Sequence, residues 1–93
     1  MTEGCAYCGK AFDDARRRTR DHVIPKALGG SRSANNIVPA CLDCNQLKGS
    51  HTPASLRALA GDALTFAVRC AHMADDVERI MAQRGLSIGG KYG

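Results

Sequence analysis

A chain of 93 residues with only four aromatics (Tyr7, Phe12, Phe66 and Tyr92) and no tryptophan has room for one small, mainly aliphatic core, and domains of this size often need a metal or a partner to hold them together. Thirteen Lys and Arg against nine acids give a formal charge of +4, which favours an anionic partner such as nucleic acid, although four metal-bound thiolates and one dication would lower it to +2. No apolar run is long enough to cross a membrane, and Met1-Thr2-Glu3-Gly4 lacks the basic-then-apolar layout of a secretory signal, so a cytoplasmic protein is expected.

The first informative stretch is Cys5-Ala-Tyr-Cys8, followed by Gly9, and its counterpart is Cys41-Leu-Asp-Cys44. Each is a Cys-x-x-Cys knuckle, a tight turn that presents two sulfurs. Two knuckles supply the four ligands that tetrahedral zinc requires. Without an export signal, the pairs read as a metal site rather than disulfides. A structural zinc on Cys5, Cys8, Cys41 and Cys44 would clamp both ends of the segment 9–40 and contribute folding energy directly.

Between the knuckles, Arg16, Arg17, Arg18 and Arg20 crowd ahead of Asp21-His22 and suit contact with phosphates. Residues 20–24 read as a short strand that Pro25 ends. Adjacent strand residues face opposite ways, so Asp21 and His22 cannot share one core face. Residues 26–36 read as a loop, with Gly29-Gly30 and Asn35-Asn36 allowing unusual backbone angles. A second strand over 37–40 delivers the chain to Cys41. A short helix over 42–48 places Asn45 and Lys48 on one face, and Gly49 stops it. Thr52-Pro53 opens a second helix that ends at Gly61, and Asp62 caps a third over 63–84. Phe66, Cys70, Met73, Val77, Ile80 and Arg84 recur along the third helix at near-helical spacing. At about 33 Å it is longer than the N-terminal part should cover, which leaves part of its stripe for a second copy of the chain or a larger complex. The organisation expected is a zinc-stapled module over 1–51 and a helical extension over 52–93 with a mobile tail, in one domain overall.

Asp21-His22-Val23-Ile24-Pro25, Gly29-Gly30, Asn36-Ile37-Val38-Pro39 and Cys41-x-x-Cys44-Asn45-x-x-Lys48-Gly49, together with Cys5-x-x-Cys8, closely resemble the HNH endonucleases of the four-cysteine zinc-containing type. The resemblance covers residues 5–49. It implies an α+β architecture, the ββα-metal core, in which two strands and a helix grip a catalytic ion. It also implies a phosphodiesterase acting on DNA, with His22 as general base and Asn36 orienting it; Asn35, one residue away, is the rival for that role. Asp21 and Asn45 would hold a catalytic divalent ion, and the products would carry 5′-phosphate and 3′-hydroxyl ends. Asn45 stands where the motif's name has histidine, so the letters here read H-N-N. A carboxylate and an amide oxygen favour Mg²⁺ or Mn²⁺ over softer ions. Lys48 would face the substrate phosphate. His51 has an open role beside the site, His72 reads as a surface residue and Cys70 as core. Two other functions fit the same residues. One is a non-catalytic zinc-ribbon module that binds nucleic acid through Arg16, Arg17, Arg18 and Lys48. The other is a subunit of a phage or mobile-element DNA-processing complex. The acid Asp21 beside the basic run separates catalysis from simple binding, because it would repel a phosphate unless a cation intervened.

Overall fold

In the computed structural model, which describes residues 3–59 and 64–87, the chain forms β1 (Arg18–His22), β2 (Ile37–Cys41), α1 (Leu42–Lys48), α2 (Pro53–Ala58) and α3 (Leu64–Arg84). Single 3₁₀ turns at Lys26–Leu28 and Ala34–Asn36 punctuate the connection between the strands. The strands pair antiparallel, from Arg18 opposite Cys41 to His22 opposite Ile37. The result is a small α+β fold whose β1–β2–α1 unit and four-cysteine cluster make a ββα-metal core.

β1 begins and ends two residues earlier than the sequence suggests. Arg18 and Thr19 read as part of the polar turn ahead of the strand, yet a two-stranded antiparallel sheet keeps one face in water and accepts an arginine there. Arg18 and Arg20 are exposed while Asp21 is buried. Val23 and Ile24 then leave the ladder and turn into the core.

The N-terminal knuckle folds as a miniature hairpin. Gly4 and Ala11 form a β-bridge, and the Cys5 amide donates to Lys10 O at 3.0 Å. Gly9 takes φ +77°, a left-handed angle that a side chain would disfavour. The Ala6 amide donates to Pro39 O at 2.8 Å and so hangs the knuckle on β2.

The helices begin with sulfur and oxygen caps. At α1 the cap is Cys41, whose Sγ accepts from the Cys44 amide, while Asp43 lies in the first turn. At α2 the cap is Thr52, whose Oγ1 accepts from the Ser55 amide at 3.0 Å, with Pro53 opening the helix. The expected stop at Gly61, the cap at Asp62 and the tail beyond Ser87 lie outside the described residues.

One apolar cluster joins the knuckles, the sheet and the C-terminal helices. It contains Cys5, Tyr7, Val23, Val38, Ala40, Cys41, Cys44, Leu56, Met73, Ala74, Val77 and Ile80. Most of the α3 stripe is therefore covered by its own chain. Among the described side chains of α3, Phe66 and Val68 are the large apolar ones left exposed, at 39% and 46% near the start of the helix. Arg57 ties α2 to α3 through Asp75 and Glu78, at 2.8 and 2.7 Å. Among the described residues, no helix is long and apolar enough to cross a membrane.

Candidate active site

The four knuckle sulfurs come together first. The Sγ atoms of Cys5, Cys8, Cys41 and Cys44 all lie within 4.8 Å of one another, with Cys8 and Cys41 4.0 Å apart. Tetrahedral zinc with Zn–S bonds of about 2.3 Å needs sulfurs about 3.8 Å apart, so the donor set fits that ion. The knuckle backbones favour thiolates as well. The amides of Tyr7 and Cys8 donate to Cys5 Sγ, and that of Cys44 donates to Cys41 Sγ. Burial opposes ionisation of Cys41, but the Cys44 amide, the neighbouring thiols and Arg16 outweigh it and bring the group down to about 7. Burial pushes Cys44 the other way.

Tyr7, the spacer inside the first knuckle, reaches away from the sulfurs. Its hydroxyl donates to Asp21 Oδ2 at 2.5 Å, and both residues are buried. The same oxygen lies 3.3 Å from Lys48 Nζ, which also donates to His22 O at 2.7 Å. Lys48 is fully buried, so it is not presented to a phosphate as expected but acts inward, on Asp21 and on the backbone of His22. Burial pulls its ammonium below the ordinary lysine range, against the opposing pull of Asp21.

Asn45 is held by Thr19, a residue with no site role evident from the sequence motifs. Its Nδ2 donates to Thr19 Oγ1 at 2.9 Å, and that hydroxyl donates onward to Ala40 O at 2.7 Å. Because Thr19 spends its proton on Ala40, it accepts from the amide nitrogen, which fixes the side chain's orientation and leaves Asn45 Oδ1 available. A strand alternation would have found Thr19, which lies two residues before Asp21 on the same face of β1.

Asp21, His22 and Asn45 line one open pocket of about 450 Å³, with Arg20, Pro25, Lys26, Gly49 and Ser50 around it. His22 Nε2 is buried there without a hydrogen-bond partner among the described residues. The loop behind it is set by Asn36. The Asn36 Oδ1 accepts from the Ile24 amide at 2.8 Å, and its Nδ2 donates to Ile24 O and Ser31 O at 3.0 and 2.9 Å. Asn36 O accepts from the Val23 amide at 2.8 Å. Asn36 is thus tied to the two residues that follow His22, while the rival Asn35 is exposed and faces the end of α3.

The arginines separate. Arg16 donates to Cys41 Sγ at 3.8 Å and belongs to the sulfur cluster rather than to an outward phosphate surface. Arg18 pairs with Glu3 at the surface. Arg17 and Arg20 are exposed and have no ion pair among the described residues; Arg18 and Arg20 line a groove along the sheet with Val38 and Pro39. His51 Nδ1 lies 2.8 Å from Ser55 Oγ, which ties it to α2. His72 is exposed on α3, and Cys70 is buried in the interior.

With this geometry in hand, the comparisons with known proteins are consistent. The profile of the family described as HNH endonuclease matches residues 5–59, more than half of the chain. The chain therefore belongs to the HNH endonuclease family, and a nuclease is the class of enzyme this membership supports. The CRISPR-associated endonuclease Cas9 of Corynebacterium diphtheriae is 38% identical over 47 residues, which make up 50% of this chain and 4% of that protein. The chain thus corresponds to a small part of that relative's length. No solved structure gives a significant match.

Proposed function

We propose that the chain is a metal-dependent DNA endonuclease or nickase that hydrolyses phosphodiester bonds at the pocket lined by Asp21, His22 and Asn45. The observation that carries this reading is the convergence on one open pocket of an acid, an imidazole and an amide. Tyr7 bonds the acid and Thr19 the amide directly, while Asn36 holds the backbone of the residues that follow His22.

In this reading His22 takes the proton of the attacking water, a role for which imidazole is well suited near neutral pH. Asn36 holds the backbone that carries it. Asp21 and Asn45 would hold one divalent cation, Mg²⁺ or Mn²⁺. Oδ2 of Asp21 is engaged by Tyr7 and Lys48 while its other oxygen remains for the ion, and a hard-oxygen donor set suits these metals. When bound, the ion supplies neutralisation of the charge that develops on the phosphoryl group and the leaving 3′ oxygen. Arg17, Arg18 and Arg20 would grip the DNA backbone beside the pocket, a contact that steers without reading sequence. A single site per chain points to nicking, and self-association through the exposed Phe66 and Val68 would be the route to cutting both strands. Analytical ultracentrifugation of wild type and Phe66→Ser tests that route.

Purified zinc-loaded protein should convert supercoiled plasmid to the nicked form with Mg²⁺ or Mn²⁺ but not with a chelator. Absence of cleavage under every metal would overturn the reading.

One observation favours a second reading, a zinc-stapled module that binds nucleic acid without cutting it. Lys48 neutralises Asp21 from within, so the acid beside the arginines does not by itself repel a phosphate. Salt-sensitive DNA binding without cleavage by the zinc-loaded protein would select this alternative.

A further inference from the structure

The family match ends at residue 59, yet the far end of α3 closes on the segment that carries Asn36. α3 stops at a left-handed glycine, Gly85 with φ +67°, and the Leu86 amide donates back to Met81 O at 2.9 Å. That turn is a Schellman stop, with Leu86 packed beside Met81 against the core. It fixes Arg84 as the last helical residue. The Arg84 Nη1 lies 2.9 Å from Asn35 O, 3.3 Å from Ala34 O and 3.4 Å from Ile37 O. In return, Asn35 Nδ2 donates at 3.0 Å to Arg84 O, a carbonyl that the end of the helix leaves without an intrahelical partner.

The clamp therefore grips the chain on both sides of Asn36. Asn36 is bonded to Val23 and Ile24 through its backbone carbonyl and both ends of its amide. Those residues directly follow His22, and His22 itself pairs with Ile37 across the sheet. Hydrogen bonds therefore run from the end of α3 through the 34–37 segment to the backbone of Val23 and Ile24, the residues next to His22.

We infer that Arg84 is a positioning residue for His22, acting through the 34–37 segment and Asn36, and that the C-terminal helix braces the catalytic loop from within the same chain. Arg84 does not line the pocket of Asp21, His22 and Asn45. Its effect is on where the base sits. The inference rests on the nuclease reading for its catalytic consequence, but the brace itself is measurable without catalysis.

The test compares wild type with Arg84→Met, which keeps the stem and loses the donors, and with Arg84→Lys, which keeps a donor. Amide hydrogen exchange by NMR should speed up about tenfold at Val23 and Ile24 in Arg84→Met. The Ala6 and Leu56 amides, bonded elsewhere, should be unchanged, and Arg84→Lys should restore much of the protection. In single-turnover nicking, Arg84→Met should lower the rate by about 10- to 100-fold, with substrate affinity held within a factor of about two. Exchange that is unchanged, or that rises evenly across the chain, would overturn the brace, as would a loss carried wholly by affinity. If wild type nicks nothing, the nuclease reading fails by itself, and the exchange measurement still decides whether Arg84 holds the His22 segment.

Discussion

The hydroxyl of Tyr7, set between two zinc-ligand cysteines, donates a 2.5 Å hydrogen bond to Asp21 Oδ2. The sulfur cluster and the acid of the candidate site are thereby one unit, joined by a buried phenol. Tyr7→Phe should leave the carboxylate oxygen short of a donor and destabilise the protein by about 1–3 kcal/mol in urea unfolding. Zinc content should be unchanged, and nicking should fall. The bond also has a pH signature. Burial, then the charge of Asp21 and the bond to it, raise the Tyr7 hydroxyl far above its ordinary value. The unfolded tyrosine titrates near pH ~10, so this contribution to stability is complete below that pH and is lost as pH climbs above it. In a Tyr92→Phe background, tyrosinate absorbance should appear only with alkaline unfolding. Ionisation of Tyr7 at the ordinary value in folded protein would contradict the bond.

Lys48 gives a second prediction, because its charge is buried against Asp21 rather than turned to solvent. Lys48→Met strands a buried carboxylate and should cost about 3 kcal/mol or more in stability. Asp21→Asn combined with Lys48→Met should recover part of that loss. The slope of log affinity for DNA against log salt should be the same in folded Lys48→Met as in wild type. By contrast, Arg20→Ala should reduce the slope by about 0.9, the share of one phosphate contact.

Gly30 is the tightest point of the loop behind His22. A Cβ there would come within 1.7 Å of Ile24 O and 2.9 Å of Asn36 Nδ2. Gly30→Ala must push apart the groups that Asn36 holds together. A loss of about 3 kcal/mol or more in chemical unfolding, accompanied by loss of nicking, is expected.

Zinc removal should unfold the chain rather than merely inactivate it. The cluster ties both knuckles into the shared core, with Cys5, Cys41 and Cys44 themselves buried in it. A strong chelator should release zinc and abolish near-ultraviolet circular dichroism together, and added zinc should restore both. Retention of the folded signal after complete zinc loss would show that the aliphatic core suffices.

The parts of this architecture that were legible in the sequence are those encoded by spacing. The two Cys-x-x-Cys pairs, the helix between Cys41 and Gly49 and the Thr52-Pro53 helix start are local patterns, and they fall where local patterns place them. Residues whose work is done across the fold were not legible. Tyr7 meets Asp21, Thr19 meets Asn45 and Arg84 meets the 34–37 segment only after the chain has folded. Tyr7 is buried here, and a buried tyrosine hydroxyl needs a partner, but its place inside the knuckle does not announce which one. A lysine at the end of a helix normally faces water, so the sequence alone points Lys48 outward. Here its neighbour in space is a buried acid, which no sequence interval announces. Asn35 and Asn36 could not be separated by type or spacing; burial and hydrogen bonding distinguish them.

The central claim is that His22 acts on water at a site completed by Asp21 and Asn45. Single-turnover nicking of supercoiled plasmid by zinc-loaded wild type and His22→Ala, each with Mg²⁺ or Mn²⁺, tests it most directly. The account predicts that the substitution lowers the rate by about 10²- to 10⁴-fold while zinc content and thermal unfolding stay as in wild type. A folded His22→Ala protein that nicks as fast as wild type would contradict it.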